Sequence, residues 1–255
     1  MQSVPGQSVA FKEAPLMDHL EELRLRLIYA IAFWGIGSAL AYTYRDQLMV
    51  FLKGPLQGYL NTGHQVEIVT LSVTEPLITT LQLSAFGGLV VALPFMVYQI
   101  WAFVAPGLTT DERKWGAPFV LGLGLSFALG VYFCYRIILP AALPFLLGFL
   151  GGVTNLLSIG EYISQIVTYL ATFGLVFELP LTIFLLTKVG LVGSQMLSGI
   201  RKYAVVALTI LSAIITPTAD PFNLALMAIP LYLLFELGIL FSRMAEGRAL
   251  KEARS

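Results

Sequence analysis

The sequence predicts an all-α protein that crosses a membrane several times, and three observations predict it. Of its 255 residues 57% are hydrophobic and only 12% are charged, against about 25% charged in soluble domains. So few charges cannot cover the surface of a soluble protein of this length. The apolar residues also fall in uncharged stretches close to the ~20 residues that a helix needs to cross a bilayer. Finally, the basic residues gather in alternate gaps between those stretches, as they do where one set of loops faces the cytoplasm. Net charge is zero, so gross charge indicates no nucleic-acid partner. Cys134 is the single cysteine, which excludes an intramolecular disulfide and a multi-cysteine metal site.

Residues 1–26 are polar and lack the apolar core of a cleavable signal. They read as a cytoplasmic amphipathic segment. Leu16, Leu20, Leu23 and Leu27 share one helical stripe, and Glu22 precedes Arg26 by four residues, the favourable order for an ion pair. Taken alone, this describes a helix lying at the membrane surface with solvated charges.

The first span is 27–44, ending before Arg45. The segment 46–75 follows, with Pro55, Gly58, Gly63 and the β-branched run Val66–Thr70, and reads as a structured outer cap. The second span lies in 76–110, and the loop after it carries Asp111, Glu112, Arg113 and Lys114. There Thr109 or Thr110 would cap the next helix, with acids in its first turn. The third span is 115–135. Residues 137–160 carry no charge, but Pro140, Pro144, Gly148, Gly151 and Gly152 predict a loop with a short interfacial helix. The fourth span is 162–187, the fifth 203–219 and the sixth 222–241.

Six spans with both termini inside place twelve basic residues on the cytoplasmic side and three, Arg45, Lys53 and Arg136, outside. A seventh span at 137–160 would move Lys188, Arg201 and Lys202 to the wrong side. The predicted organisation is thus a segment 1–26, a six-helix domain 27–242 and a tail 243–255. The fifth and sixth helices read as short. From Tyr203 to Pro217 the helical rise covers about 22 Å against a ~30 Å core, which predicts local thinning of the bilayer.

Glu178 lies deep within the fourth span and is followed by Pro180. A carboxylate there costs about 2.5–3.5 kcal/mol on the insertion scale and marks a functional position by default. The plainer reading is a buried acid hydrogen-bonded to Gln99, Gln165 or Thr182. No phosphate-binding G-x-x-x-x-G-K-[ST] loop, H-E-x-x-H pair or G-x-S-x-G elbow occurs. His19 and His64 fall on opposite sides of the membrane in this topology. No catalytic set, cofactor or metal site is expected.

Several motifs together resemble the TatC family over about residues 16–245. They are His19-Leu20-Glu21-Glu22-Leu23-Arg24-x-Arg26-Leu27, Thr74-Glu75-Pro76-Leu77, and Pro94 to Leu108 with Tyr98, Gln99, Trp101, Phe103 and Pro106. To these are added Asp111–Lys114, Phe173-Gly174-x-x-Phe177-Glu178-x-Pro180, Arg201-Lys202-Tyr203, Thr216-Pro217-x-x-Asp220 and Ile229-Pro230-x-x-Leu233-x-Phe235-Glu236. The resemblance implies a concave, cupped bundle in the cell membrane. It implies a receptor for twin-arginine signal peptides of folded precursors, which scaffolds TatA- and TatB-type single-span proteins, self-associates in a larger complex and uses the proton-motive force. By the same resemblance Glu22 and Glu112 take the arginines, with Leu20, Arg24, Phe103 and Arg113 around them. Glu178 and Gln99 are intramembrane polar positions facing a partner helix. Pro55 and Asp220 are outer-loop functional positions.

Two other classes compete. A small-solute transporter would use Glu178 as coupling carboxylate and would need converging polar groups near the midplane. A membrane-embedded enzyme would need a nucleophile–base pair or a metal cluster.

Overall fold

A computed structural model describes residues 14–60, 66–107, 113, 116–148, 155–216 and 220–252. Among these the architecture is an all-α, multi-pass membrane bundle whose helices form a concave arrangement, with one two-stranded parallel pairing at an end. Five helical stretches are long and apolar enough to cross a membrane: His19–Thr43, Glu75–Val104, Gly116–Gly148, Ile159–Lys188 and Pro221–Glu246.

Helix α1 (Ala14–Thr43) runs straight from the amphipathic segment into the first span, because nothing in its turns breaks the backbone. After the turn at Tyr44 the chain forms α2 (Arg45–Leu60) and β1 (Val66–Val69), so the described residues of the segment 46–75 are structured, as its β-branched run predicts. Helix α3 (Glu75–Val104) starts with Pro76 in its first turn, where a missing N–H has no helical partner to lose. It packs along α1 at a distance that only glycine permits. A Cβ on Gly88 would lie 2.3 Å from the Ser38 nitrogen.

The stretch 137–160 differs from expectation. Helix α4 (Gly116–Phe133) continues through a π turn (Cys134–Ile138) into α5 (Leu139–Gly148) without interruption. The π turn explains how: the Leu139 amide reaches back to the Cys134 carbonyl, so the wider ladder has already left the α register when it meets Pro140. Strand β2 (Asn155–Ser158) then pairs in parallel with β1, Val66 opposite Asn155 and Val69 opposite Ser158.

Helix α6 (Ile159–Phe177) is the axis of the core. Tyr162, Ile163, Ile166, Tyr169, Leu170 and Phe173 are all buried along it. The fourth span is not one helix. It breaks at Glu178 and resumes as α7 (Leu179–Lys188), since Pro180 can neither donate to the preceding turn nor fit beneath it. After α8 (Ser194–Gly199) comes α9 (Arg201–Ile215), whose 15 residues make it the short helix the sequence predicts.

The sixth helix corrects the other half of that expectation. Helix α10 (Pro221–Glu252) has 32 residues and is not short. The sequence reading ended it where charge returns after Phe241, but charge ends an apolar stretch, not a helix. Glu246 accepts from the Ser194 amide and hydroxyl, which ties that continuation to α8.

Candidate functional site

Three polar features need a reason, and they lie at different levels of the bundle. The first is at the near end, where α1 begins and α3 finishes. His19, Glu22 and Arg26 repeat at three and four residues and therefore share one face of α1. Gln99 and Phe103, four apart, share a face of α3. The two faces meet. The His19 and Phe103 rings stack with centroids 4.3 Å apart and planes 15° from parallel. Arg26 donates to Gln99 Oε1 at 3.2 Å and to Glu22 Oε1 at 3.2 Å. Gln99 is buried, while the Glu22 and Arg26 side chains keep about a third of their surface exposed, 34% and 30%.

Glu22 is thus held against the end of α3 with one face open to solvent. Its neighbour Glu21 points outward and is exposed. Leu20 and Arg24, four residues apart, share the opposite face of α1 and are both exposed. Arg113 is exposed as well. Glu112 lies outside the described residues. The structure therefore brings Glu22 and Phe103 to one end of the α1–α3 contact, through Arg26–Gln99 and His19–Phe103, while Leu20 and Arg24 sit on the opposite face of α1.

Gln99 sits in this near-end group rather than beside Glu178. Both are polar residues in apolar stretches, but the position of Gln99 late in α3 places it level with Arg26. His19 and Arg26 complete the group. Their signal in the sequence is the i, i+3, i+7 spacing around Glu22.

The second feature is Glu178. It caps the C-terminus of α6 through its backbone and opens α7, with φ −72° and ψ −20°. Both carboxylate oxygens are buried, and neither has a hydrogen-bond partner among the described residues. Gln99, Gln165 and Thr182, the neighbours that would have made it an ordinary satisfied acid, do not bond it. The break that positions it is braced from α4, where Ser126 Oγ donates to the Phe177 carbonyl at 2.6 Å. Close approach of α4 and α6 is allowed by Gly130, where a Cβ would come within 2.4 Å of the Phe173 oxygen.

At the far end, Pro55 and Asp220 both have local structural roles. Pro55 lies inside α2. Having no N–H, it leaves the Phe51 carbonyl without its helical donor. The Tyr135 hydroxyl donates to that carbonyl at 2.7 Å, with the Phe51 and Tyr135 rings stacked 4.3 Å apart. Asp220 precedes α10 and accepts from the Asn223 amide at 2.7 Å and from the Asn223 side chain at 2.9 Å. With Pro221 in the first helical position, this is an N-cap.

Beyond these three lies Glu75, which the sequence marks only as a member of the Thr74-Glu75-Pro76-Leu77 motif. Glu75 accepts from the Leu71 and Ser72 amides in its own segment, and from the Ser158 hydroxyl and Gly160 amide at the start of α6. It clasps the two segments that carry β1 and β2.

Residues 18–230 match the family model described as "TatC: Sec-independent protein translocase protein (TatC)". The chain is 49% identical over 232 residues to the Sec-independent protein translocase protein TatC of Deinococcus radiodurans, covering 90% of this chain and 86% of that one. It is 40% identical over 236 residues to the protein of the same name from Aquifex aeolicus, covering 91% and 95%. A solved structure described as the twin arginine translocase receptor TatC superposes with a TM-score of 0.80 at 39% identity, covering 89% of this chain and 99% of that one. On these matches, together with the near-end group and the buried carboxylate of the fourth span, the chain belongs to the TatC family.

Proposed function

We propose that this chain is the receptor subunit of a twin-arginine protein translocase in the cell membrane, binding the signal peptides of folded precursors at its near end. The observation that carries the reading is the placement of Glu22. It is anchored to α3 through Arg26 and Gln99, flanked by the His19–Phe103 stack, and still open on one side. A guanidinium pairs with a carboxylate in a planar, two-pronged geometry that an ammonium cannot copy.

In the resting protein Arg26 occupies Glu22. An ion pair with that much exposure contributes only about 0–1 kcal/mol, so an incoming arginine exchanges with it at little cost. Glu112 supplies the second carboxylate. Leu20 and Phe103 receive the apolar part of the signal, and Arg24 and Arg113 set the charge pattern around it. The near end is then cytoplasmic and holds both termini, and α9 makes a sixth, short crossing that thins the bilayer beside it. Residues 1–26 form the cytoplasmic segment, 27–242 the membrane domain and 243–255 the tail.

Glu178 is the polar contact for a single-span partner of the TatA or TatB type, since an unpartnered carboxylate in lipid rewards a hydrogen bond from a neighbouring helix. The chain serves as receptor and scaffold within a larger self-associated complex, and the proton-motive force drives transport. Pro55 and Asp220 act by shaping the far-end cap. The transporter alternative gains no support from the far-end cavity, whose lining does not include Glu178.

The test is binding of a twin-arginine signal peptide to the purified protein in detergent, compared with Glu22→Ala, Glu112→Ala and a Lys-Lys peptide. Sharp weakening by either substitution and by the lysine pair is expected. Equal binding in all four cases, in folded protein, overturns the site.

A further inference from the structure

A cavity of about 860 Å³ opens at the far end between α3, α5 and α6, beneath the β1–β2 pairing, within the ~300–1,000 Å³ typical of ligand sites. Its walls differ in character. The α5 wall is apolar, with Leu139, Leu143, Leu146 and Leu147. The opposite wall, from α3 and α6, is polar, with Gln82 donating to Ser164 Oγ at 3.1 Å and Gln165 beside them. At its inner limit lies Tyr169, 2% exposed, whose hydroxyl has no hydrogen bond of good geometry among the described residues and lies nearest the Gln165 side chain.

The depth of the cavity is informative. Glu161 lies in the first turn of α6, at the end of the candidate span Ile159–Lys188, and an acid at a span's end belongs at headgroup level. Tyr169 is eight residues further along, about 12 Å at the helical rise, and half of a ~30 Å bilayer core is about 15 Å. The groove therefore runs from headgroup level nearly to the midplane, the reach of one leaflet.

The charges are one-sided. Among the described residues, two acids and no Lys or Arg line the groove. Glu75 has both oxygens engaged by Leu71, Ser72, Ser158 and Gly160. The Glu161 carboxylate is exposed and unpaired among the described residues. An anionic headgroup would meet repulsion at this mouth, and an ammonium would meet its counter-charge.

We propose that this groove is a binding site for one amine-headed amphiphilic lipid of the far-end leaflet. Its ammonium pairs with Glu161, its ester groups meet the amides of Gln82 and Gln165, and an alkyl chain lies along the α5 leucines. The inference is independent of signal-peptide recognition at the other end.

The probe is phosphatidylethanolamine. The full chain is reconstituted in bilayers containing equal proportions of phosphatidylethanolamine, phosphatidylcholine and phosphatidylglycerol, released into detergent, and its retained lipid identified by native mass spectrometry. Retention of the ethanolamine lipid over the glycerol lipid by roughly five-fold is expected, the scale of one exposed ion pair. Glu161→Gln should abolish that preference, and Ile78→Trp, which fills the groove from an exposed position, should reduce retention of all three. A preference for phosphatidylglycerol, or an ethanolamine preference that survives Glu161→Gln, overturns the proposal. So does cross-linking of Ser164→Cys in native membranes to a protein helix in place of lipid. Glu161→Gln is a conservative surface change, so the result stands even if Ile78→Trp does not fold.

Discussion

The hydroxyl of Tyr135 donates at 2.7 Å to the carbonyl of Phe51, the carbonyl that Pro55 leaves without a donor inside α2. The bond joins the π turn of the third span to the cap, and Gly54 makes room for it. A Cβ there would lie 2.4 Å from the Tyr135 oxygen but 3.6 Å from its Cζ. Tyr135→Phe should therefore cost about 0.5–1.5 kcal/mol, and Gly54→Ala more. The double variant should be more stable than the sum of the two predicts, because removing the hydroxyl removes the clash. Thermal unfolding of the four proteins in one detergent measures the coupling, and strict additivity would refute the account.

The His19–Phe103 stack should matter to binding through shape and not charge. An aromatic pair contributes about 0.5–1.5 kcal/mol beyond its area, so His19→Ala should weaken signal-peptide binding by roughly two- to ten-fold. His19→Phe should retain most of the affinity. Titration by fluorescence anisotropy distinguishes them, and equal loss in both variants would show that the imidazole itself is needed.

Asp220 should behave as a helix cap. Asp220→Ala should lower stability by about 0.5–2 kcal/mol, whereas Asp220→Asn, which still accepts from the Asn223 amide, should lie within a few tenths of the parent. Signal-peptide affinity should not change in either. Denaturation curves beside binding curves separate this from a direct contact with cargo.

Glycines of the bundle should divide by what surrounds them. Gly130→Ala places a methyl against the Phe173 carbonyl and the Phe177 Cβ, neither of them the far end of a flexible side chain that could yield. It should destabilise by about 1–3 kcal/mol. Gly35→Ala meets nothing within 4 Å in the middle of α1 and should stabilise by about 0.5–1 kcal/mol. Melting temperatures moving in opposite directions would support this reading.

The sequence made the spans legible because their signal is one-dimensional: uncharged length, breakers and the placement of Lys and Arg. It made Glu178 legible because a charge inside such a stretch has no ordinary explanation. It also marked Glu22, through motif and helical spacing. What it hid depends on pairs far apart in the chain. Gln99 meets Arg26 across 73 residues and Glu75 meets Ser158 across 83, and neither partner signals the other. Proline misled at Pro140, where a π turn absorbs it, and at Pro180 it breaks a span that reads in the sequence as one unbroken stretch. Charge misled after Phe241, since α10 continues past the apolar core toward water.

The pairing of Val66–Val69 with Asn155–Ser158 also constrains time. Parallel strands require a crossover, and here the crossover is α3, α4 and α5. As the chain emerges, β1 must wait for those helices to enter the membrane before its partner exists, with its backbone groups meeting water meanwhile. Closing so long a loop is slow and late. The far-end pairing therefore forms only after α3, α4 and α5 are in place, and its completion reports that those three helices have entered in order.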